Sequence, residues 1–148
     1  MNDLEKLLAI ESIKQSKSRY FRGLDTKDWE LYGSSFAPDA EMDMREQSHN
    51  PDNLLIGREK ITEYVSRQLD GIVTVHQGHT PEIDFTSETT ANVIWAMEDL
   101  LWVKDPAAQK PFTHLHGWGH YRETYRKVGD VWLIQTTTLT RLKLEMVK

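Results

Sequence analysis

The sequence predicts an α+β domain in which three N-terminal helices pack on one face of a curved antiparallel sheet. One change of period predicts it. Up to about residue 70, apolar side chains recur at the helical spacing; from Ile72 onward they alternate with polar ones, as strands require. No repeat, low-complexity tract or linker interrupts the pattern, so residues 1–148 read as one domain, long enough to bury a core.

The first helix is expected over Asp3–Leu24, on the stripe Ile10, Ile13, Tyr20, Leu24, with charged residues on its outer face. Gly23 loosens its end. Trp29, Tyr32 and Phe36 then restart the period in a second helix, about Lys27–Ser35, which Pro38 closes. Ala40–Met44 alternates as a short strand, and Arg45–Leu54, with Asn50-Pro51-Asp52, reads as a loop. Gly57 precedes the third helix, whose buried stripe is Ile61, Tyr64, Val65, Gln68 and Leu69 and which Gly71 ends. Four long extended segments follow: Ile72–Phe85 (broken or bulged near Gly78–Pro81), Thr89–Val103, Phe112–Arg126 and Val131–Leu144. Lys104–Pro111 forms a loop, and Val128-Gly129-Asp130 turns the chain into its last strand.

Composition removes several functions. A net charge of -5 and a pI near 5.7 argue against nucleic acid or an anionic membrane as the main partner. With no cysteine, disulfides, thiolate catalysis and Cys-ligated zinc are excluded. The start, MNDLEKLLAIESIK, lacks the unbroken apolar core of a signal peptide, and no run approaches the ~20 apolar residues of a membrane span. A soluble, cytoplasmic protein is the expectation.

The stretch RYFRGLDTKDWELYGSSF, residues 19–36, carries the first chemistry. Asp25 lies where two apolar faces converge and is either a helix N-cap or a pocket carboxylate; Asp28 suits the first turn, and Thr26 can cap equally well, leaving Asp25 free. Tyr20 is either a core residue with a satisfied hydroxyl or a pocket donor. Further on, Val93, Trp95, Met97, Asp99 and Leu101 share a strand face on which Asp99 alone is charged, a costly arrangement outside a pocket. The competing face is that of Glu98. His76 shares a strand face with Thr74 and Gly78, and His79 near the break is the rival base. Arg141, on the face of Leu133 and Leu139, is a snorkelling surface residue or a buried anion clamp. His114 and His116 point the same way on a strand and can share an ion. His120 lies about 13 Å beyond His116, outside that coordination sphere. No metal is expected.

With these residues in place, the chain resembles the SnoaL-like branch of the nuclear transport factor 2 superfamily. It is most similar to the group containing scytalone dehydratase, bile-acid 7α-dehydratase and hexachlorocyclohexane dehydrochlorinase. The resemblance spans nearly the whole chain and rests on RYFRGLDTKDW, on VHQG followed by PEIDF, and on GHYRETYRKVGDVWLI. It implies a cone-shaped, strongly curved, mainly antiparallel sheet around a pocket, closed by the N-terminal helices, in a homo-oligomer (trimer, or dimer). Asp25 and His76 match the family's catalytic Asp–His pair, and Tyr20 its dehydratase tyrosine. Asp99 falls where the bile-acid enzyme is acidic, and Arg141 near its C-terminal arginine.

The expected activity is a cofactor-free, dehydratase-type elimination on a small cyclic or polycyclic apolar substrate. A neutral His76 would take a proton from carbon beside an activating group while Asp25 fixes its tautomer. Tyr20 would donate to a leaving hydroxyl or an enolate-like oxygen, and Asp99, if protonated, would donate likewise. Trp95, Trp118 and Met97 would offer apolar surface to a ring. The alternatives are a ketosteroid-isomerase-like double-bond isomerase and a non-catalytic domain that binds ligands or assembles oligomers.

Overall fold

The computed structural model describes residues 1–148. Helix α1 spans Asp3–Thr26 and opens with a capping box, in which the Asn2 side chain accepts from the Glu5 backbone and Glu5 returns to Asn2. It ends at Lys27, whose left-handed backbone (φ 60) turns its N–H back onto the Gly23 and Leu24 carbonyls. Helix α2, Trp29–Ser34, is capped by Asp28, which accepts from the Leu31 N–H. The cap is therefore Asp28, and Asp25 lies inside the last turn of α1. Gly23 does not loosen the helix. A Cβ there would stand 2.5 Å from the Tyr32 backbone nitrogen, so glycine is what lets α2 fold back onto α1.

The first strand, β1, spans Phe36–Asp43 and starts earlier than the alternation suggests, running through Pro38. Proline is tolerated because the β1–β6 pairing is interrupted between Phe36 and Glu41. A four-residue helix, α3 (Arg45–Ser48), occupies part of the expected loop, and a short strand, β2 (Leu54–Ile56), follows it. Helix α4 spans Arg58–Gln68 and buries Ile61. The long strands are β3 (Ile72–Phe85), β4 (Thr90–Val103), β5 (His114–Val128) and β6 (Val131–Val147).

These form one six-stranded sheet in the order β2-β1-β6-β5-β4-β3, antiparallel throughout except for β1 beside β6. Register shifts at Gly78/Pro81, Trp118/Gly119 and Thr124/Tyr125 mark bulges, which bend long strands and curve the sheet. Helix α1 packs against β3 and β6 inside that curve. No helix is long and apolar enough to cross a membrane.

The core between α1 and the sheet contains an ion pair. Lys17 Nζ lies 2.9 Å from Glu123 Oε2, with both side chains almost completely buried. Glu123 also accepts from Tyr125 Oη (3.0 Å) and Thr137 Oγ1 (2.7 Å). The ammonium sits 3.7 Å from the ring centroids of both Tyr20 and Tyr121. Burial pulls the Lys17 ammonium below its usual value, opposed by Glu123. Breaking such a pair from one side strands a buried charge. Lys17→Met is therefore expected to lower stability by about 3–5 kcal/mol. Lys17→Met with Glu123→Gln, which keeps acceptors for Tyr125 and Thr137, should recover most of that loss. Urea denaturation of the two variants measures it.

Candidate active site

The end of α1 and the start of β3 bring Asp25 and His76 together across 51 residues of chain. Asp25 Oδ1 lies 2.7 Å from His76 Nδ1, and Oδ2 accepts the His76 backbone N–H at 2.8 Å. Thr74, two residues earlier on the same strand face, donates its hydroxyl to Oδ1 (2.9 Å) and accepts from Lys27 Nζ (2.9 Å). A carboxylate against Nδ1 places the proton there and leaves the lone pair on Nε2. That nitrogen is turned toward Asp99, 4.0 Å from its Oδ2. The imidazole is 9% exposed.

Strand β4 buries the face of Val93, Trp95, Met97 and Asp99 and leaves Glu98 on the other. Asp99 is held by Arg141 from β6 through two hydrogen bonds, Nη1 to Oδ1 (2.6 Å) and Nη2 to Oδ2 (2.9 Å). Arg141, with its side chain 22% exposed, is thus a half-buried clamp on Asp99 and not a snorkelling surface residue. Both Asp99 oxygens act as acceptors, the reverse of the donor role expected for a protonated acid. Gly117, between them on β5, makes the pairing possible: a Cβ there would collide with the Arg141 guanidinium and the Asp99 carboxylate.

Tyr20, Tyr32 and Tyr121 complete the polar end. Their rings pack with centroids 5.0 Å apart for Tyr20–Tyr32 and 5.8 Å for Tyr20–Tyr121. Burial above all raises each phenol well beyond its ordinary value, so all three are donors at neutral pH. These groups line one side of a cavity of about 450 Å³ whose remaining lining is mainly apolar, including Leu24, Met42, Val65, Leu69 and Leu139, with Gln47, Ser48, Gln68, Thr137 and Thr138 among them.

Of the residues expected from the sequence, Tyr20, His76, Asp99 and Arg141 line this cavity, with Asp25 directly behind His76. Trp95 and Trp118 do not. Trp95 is packed in the core cluster beside Gly78. Trp118 falls between the inward Gly117 and Gly119, so strand alternation sends it to the outer face, where it stacks on His116 at 3.9 Å. His79 is 54% exposed and 3.4 Å from Glu98, away from Asp25. Tyr32 was read only as part of an apolar pattern, and Tyr121 only within the GHYRETYRKVGDVWLI stretch. Tyr121 had a usable signal, since it shares alternation with Gly117, Gly119, Glu123 and Tyr125.

A curved sheet closed by helices around a cavity with one polar wall defines the NTF2-like class of α+β domains. The chain belongs to the SnoaL-like domain family, whose model matches residues 5–138. Among curated proteins it is similar to the probable cyclase FGR4 of Gibberella zeae, 27% identical over 144 residues, covering 90% of this chain and 91% of the relative. Among solved structures it is similar to a putative scytalone dehydratase from Novosphingobium aromaticivorans (22% identity, TM-score 0.82, 100% of this chain and 93% of the other). It is also similar to the type 3 hexachlorocyclohexane dehydrochlorinase LinA of Novosphingobium barchaimii (18% identity, TM-score 0.80, 99% and 94%).

Gly117→Ala should push Arg141 off Asp99 and cost about 1–3 kcal/mol of stability, as overpacking does. Chemical denaturation and a crystal structure of the variant check both effects.

Proposed function

We propose that this protein is a cofactor-free lyase that removes water from a hydroxylated ring compound, with His76 as the base. The observation that supports it is the 2.7 Å contact between Asp25 and His76 Nδ1, which leaves Nε2 unprotonated beside a half-apolar cavity. His76 takes the proton from the carbon next to an activating carbonyl. Asp25 keeps the ring in its tautomer and stabilises the imidazolium as it forms. Tyr20 donates to oxygen as charge develops there. The dehydratase and dehydrochlorinase names of the structural relatives accord with an elimination. The Asp99–Arg141 pairing weighs against an isomerase that would need Asp99 as a proton-bearing donor.

Hydroxylated ring ketones, screened for the absorbance of the new conjugated double bond, provide the assay. His76→Ala should lose about 10²–10⁴ in rate while remaining folded. Asp25→Asn should also lose heavily in kcat, because it offers the imidazole the wrong partner. The double variant should be little worse than the poorer single one, since the two residues act as a unit. Undiminished turnover in His76→Ala overturns the assignment. A separate check is exhaustive chelation, which should leave turnover intact.

A further inference from the structure

Strand β6 outruns the strand beside it. β1 pairs with it only as far as Thr138, and the Gln47 side chain adds a last bond, 2.9 Å, to the Leu139 carbonyl. Beyond that point β6 is paired with β5 on one side, and no strand pairs with it on the other. Every residue from Leu142 to Lys148 is exposed, and Leu142, Leu144, Met146 and Val147 among them are apolar. A bare strand edge is a template for another chain, which proteins usually blunt with lysine, proline, a bulge or a cover. Here there is no proline and no covering strand. Lys143 is matched by Glu145, 2.9 Å away on the same strand. A bulge at Leu142, the extra residue between the Trp118–Lys143 and Gly119–Arg141 pairs, leaves the stretch from Lys143 to Val147 regular.

We propose that this edge docks a second copy of the chain, the two β6 strands pairing antiparallel about a twofold axis at Leu144 and joining two six-stranded sheets into one. The sequence Leu142-Lys143-Leu144-Glu145-Met146 is its own complement when reversed about its centre. Leu144 and Met146 stand opposite Gly117 and Leu115 of β5, on the cavity side of the sheet, whereas Lys143 and Glu145 stand opposite Trp118 and His116, on the outer side. Paired about Leu144, Lys143 of each copy faces Glu145 of the partner subunit on the outer side, and the axis makes that contact twice. On the cavity side Leu144 meets its own copy and Met146 meets the bulged Leu142.

Charge selects this register. Moving the axis by one residue sets Lys143 or Glu145 against its own copy, and like charges directly opposite repel. An axis between two residues would set cavity-side residues against outer ones, which the pleat forbids. The pairing buries apolar side chains that a single chain leaves to solvent, and it is independent of the lyase reading.

Sedimentation velocity on the full-length protein, at concentrations up to about 100 µM, reads a Kd in the micromolar range and should find a dimer. Lys143→Glu and Glu145→Lys should each weaken it about tenfold or more, because the twofold axis counts each change twice. Both side chains are exposed, so the variants stay folded. Mixing the two single variants should re-form the dimer, an acidic edge against a basic one, which no contact within one chain can produce. A wild type that is monomeric throughout overturns the proposal, and so does a trimer, since twofold pairing of one edge closes at two copies. A dimer indifferent to both single substitutions, or a mixture that stays monomeric, overturns it equally.

Discussion

One carboxylate, Asp25, fixes the relation between the helices and the sheet on which the site depends. Its oxygens bind the His76 ring, the His76 backbone N–H and the Thr74 hydroxyl, so it locates strand and side chain together. Its position is poor for the helix itself. Asp25 lies in the last turn of α1, where the macrodipole disfavours negative charge, and no basic residue shares that turn. The stabilisation comes from outside the helix, from β3 and from Lys27 through Thr74. A cap would be satisfied within its own helix end, as Asp28 is. Asp25 is satisfied only when the sheet is docked, which couples formation of the site to closure of the fold.

Beneath the cavity, the Lys17–Glu123 pair plays a comparable part for the tyrosines. Apolar residues of similar volume often replace a buried ion pair without loss of stability, so its presence is not explained by stability alone. Its geometry is informative. The ammonium gives one hydrogen bond to Glu123 and lies over the faces of Tyr20 and Tyr121, while Glu123 takes the hydroxyls of Tyr125 and Thr137. Two rings that line the cavity are thereby held by directional contacts and not by dispersion alone.

Much of this was legible in the sequence, to different depths. The change from helical to strand period located every long element, and alternation placed Asp99 on the inner face. Boundaries failed where local chemistry was ambiguous: Asp25, Thr26 and Asp28 all suit a cap, and only the packing of α2 on Gly23 selects Asp28. The Asp25–His76 pairing joins residues too far apart for periodicity to connect and came from resemblance. Lys17 was overlooked although it completes the stripe Ile10, Ile13, Lys17, Tyr20, Leu24, as Glu123 completes that of Tyr121 and Tyr125. Two opposite charges, each alone on an apolar face, were a readable pair.

The ionic groups at the cavity therefore share one feature: each is already partnered within the protein. Asp25 is spent on His76, Asp99 on Arg141, and Glu123 below them on Lys17. What remains for a ligand is a set of neutral, directional groups, the His76 Nε2 lone pair and the tyrosine ring edges, with Gln47, Gln68 and Thr138 set among apolar residues on the rest of the lining. Such a surface offers no free charge to repay the desolvation of an ionic substrate. On the lyase reading proposed above it takes an uncharged ring with oxygen at defined positions, and its electrostatic work is reserved for charge that appears only during reaction. Fixed donors in a site shielded from water are most effective against such transient charge, because they need no reorganisation when it forms. The paired carboxylates and the unprotonated His76 Nε2 are on this view two sides of one arrangement: strong charges bound inward to hold the frame, neutral groups left to meet the substrate.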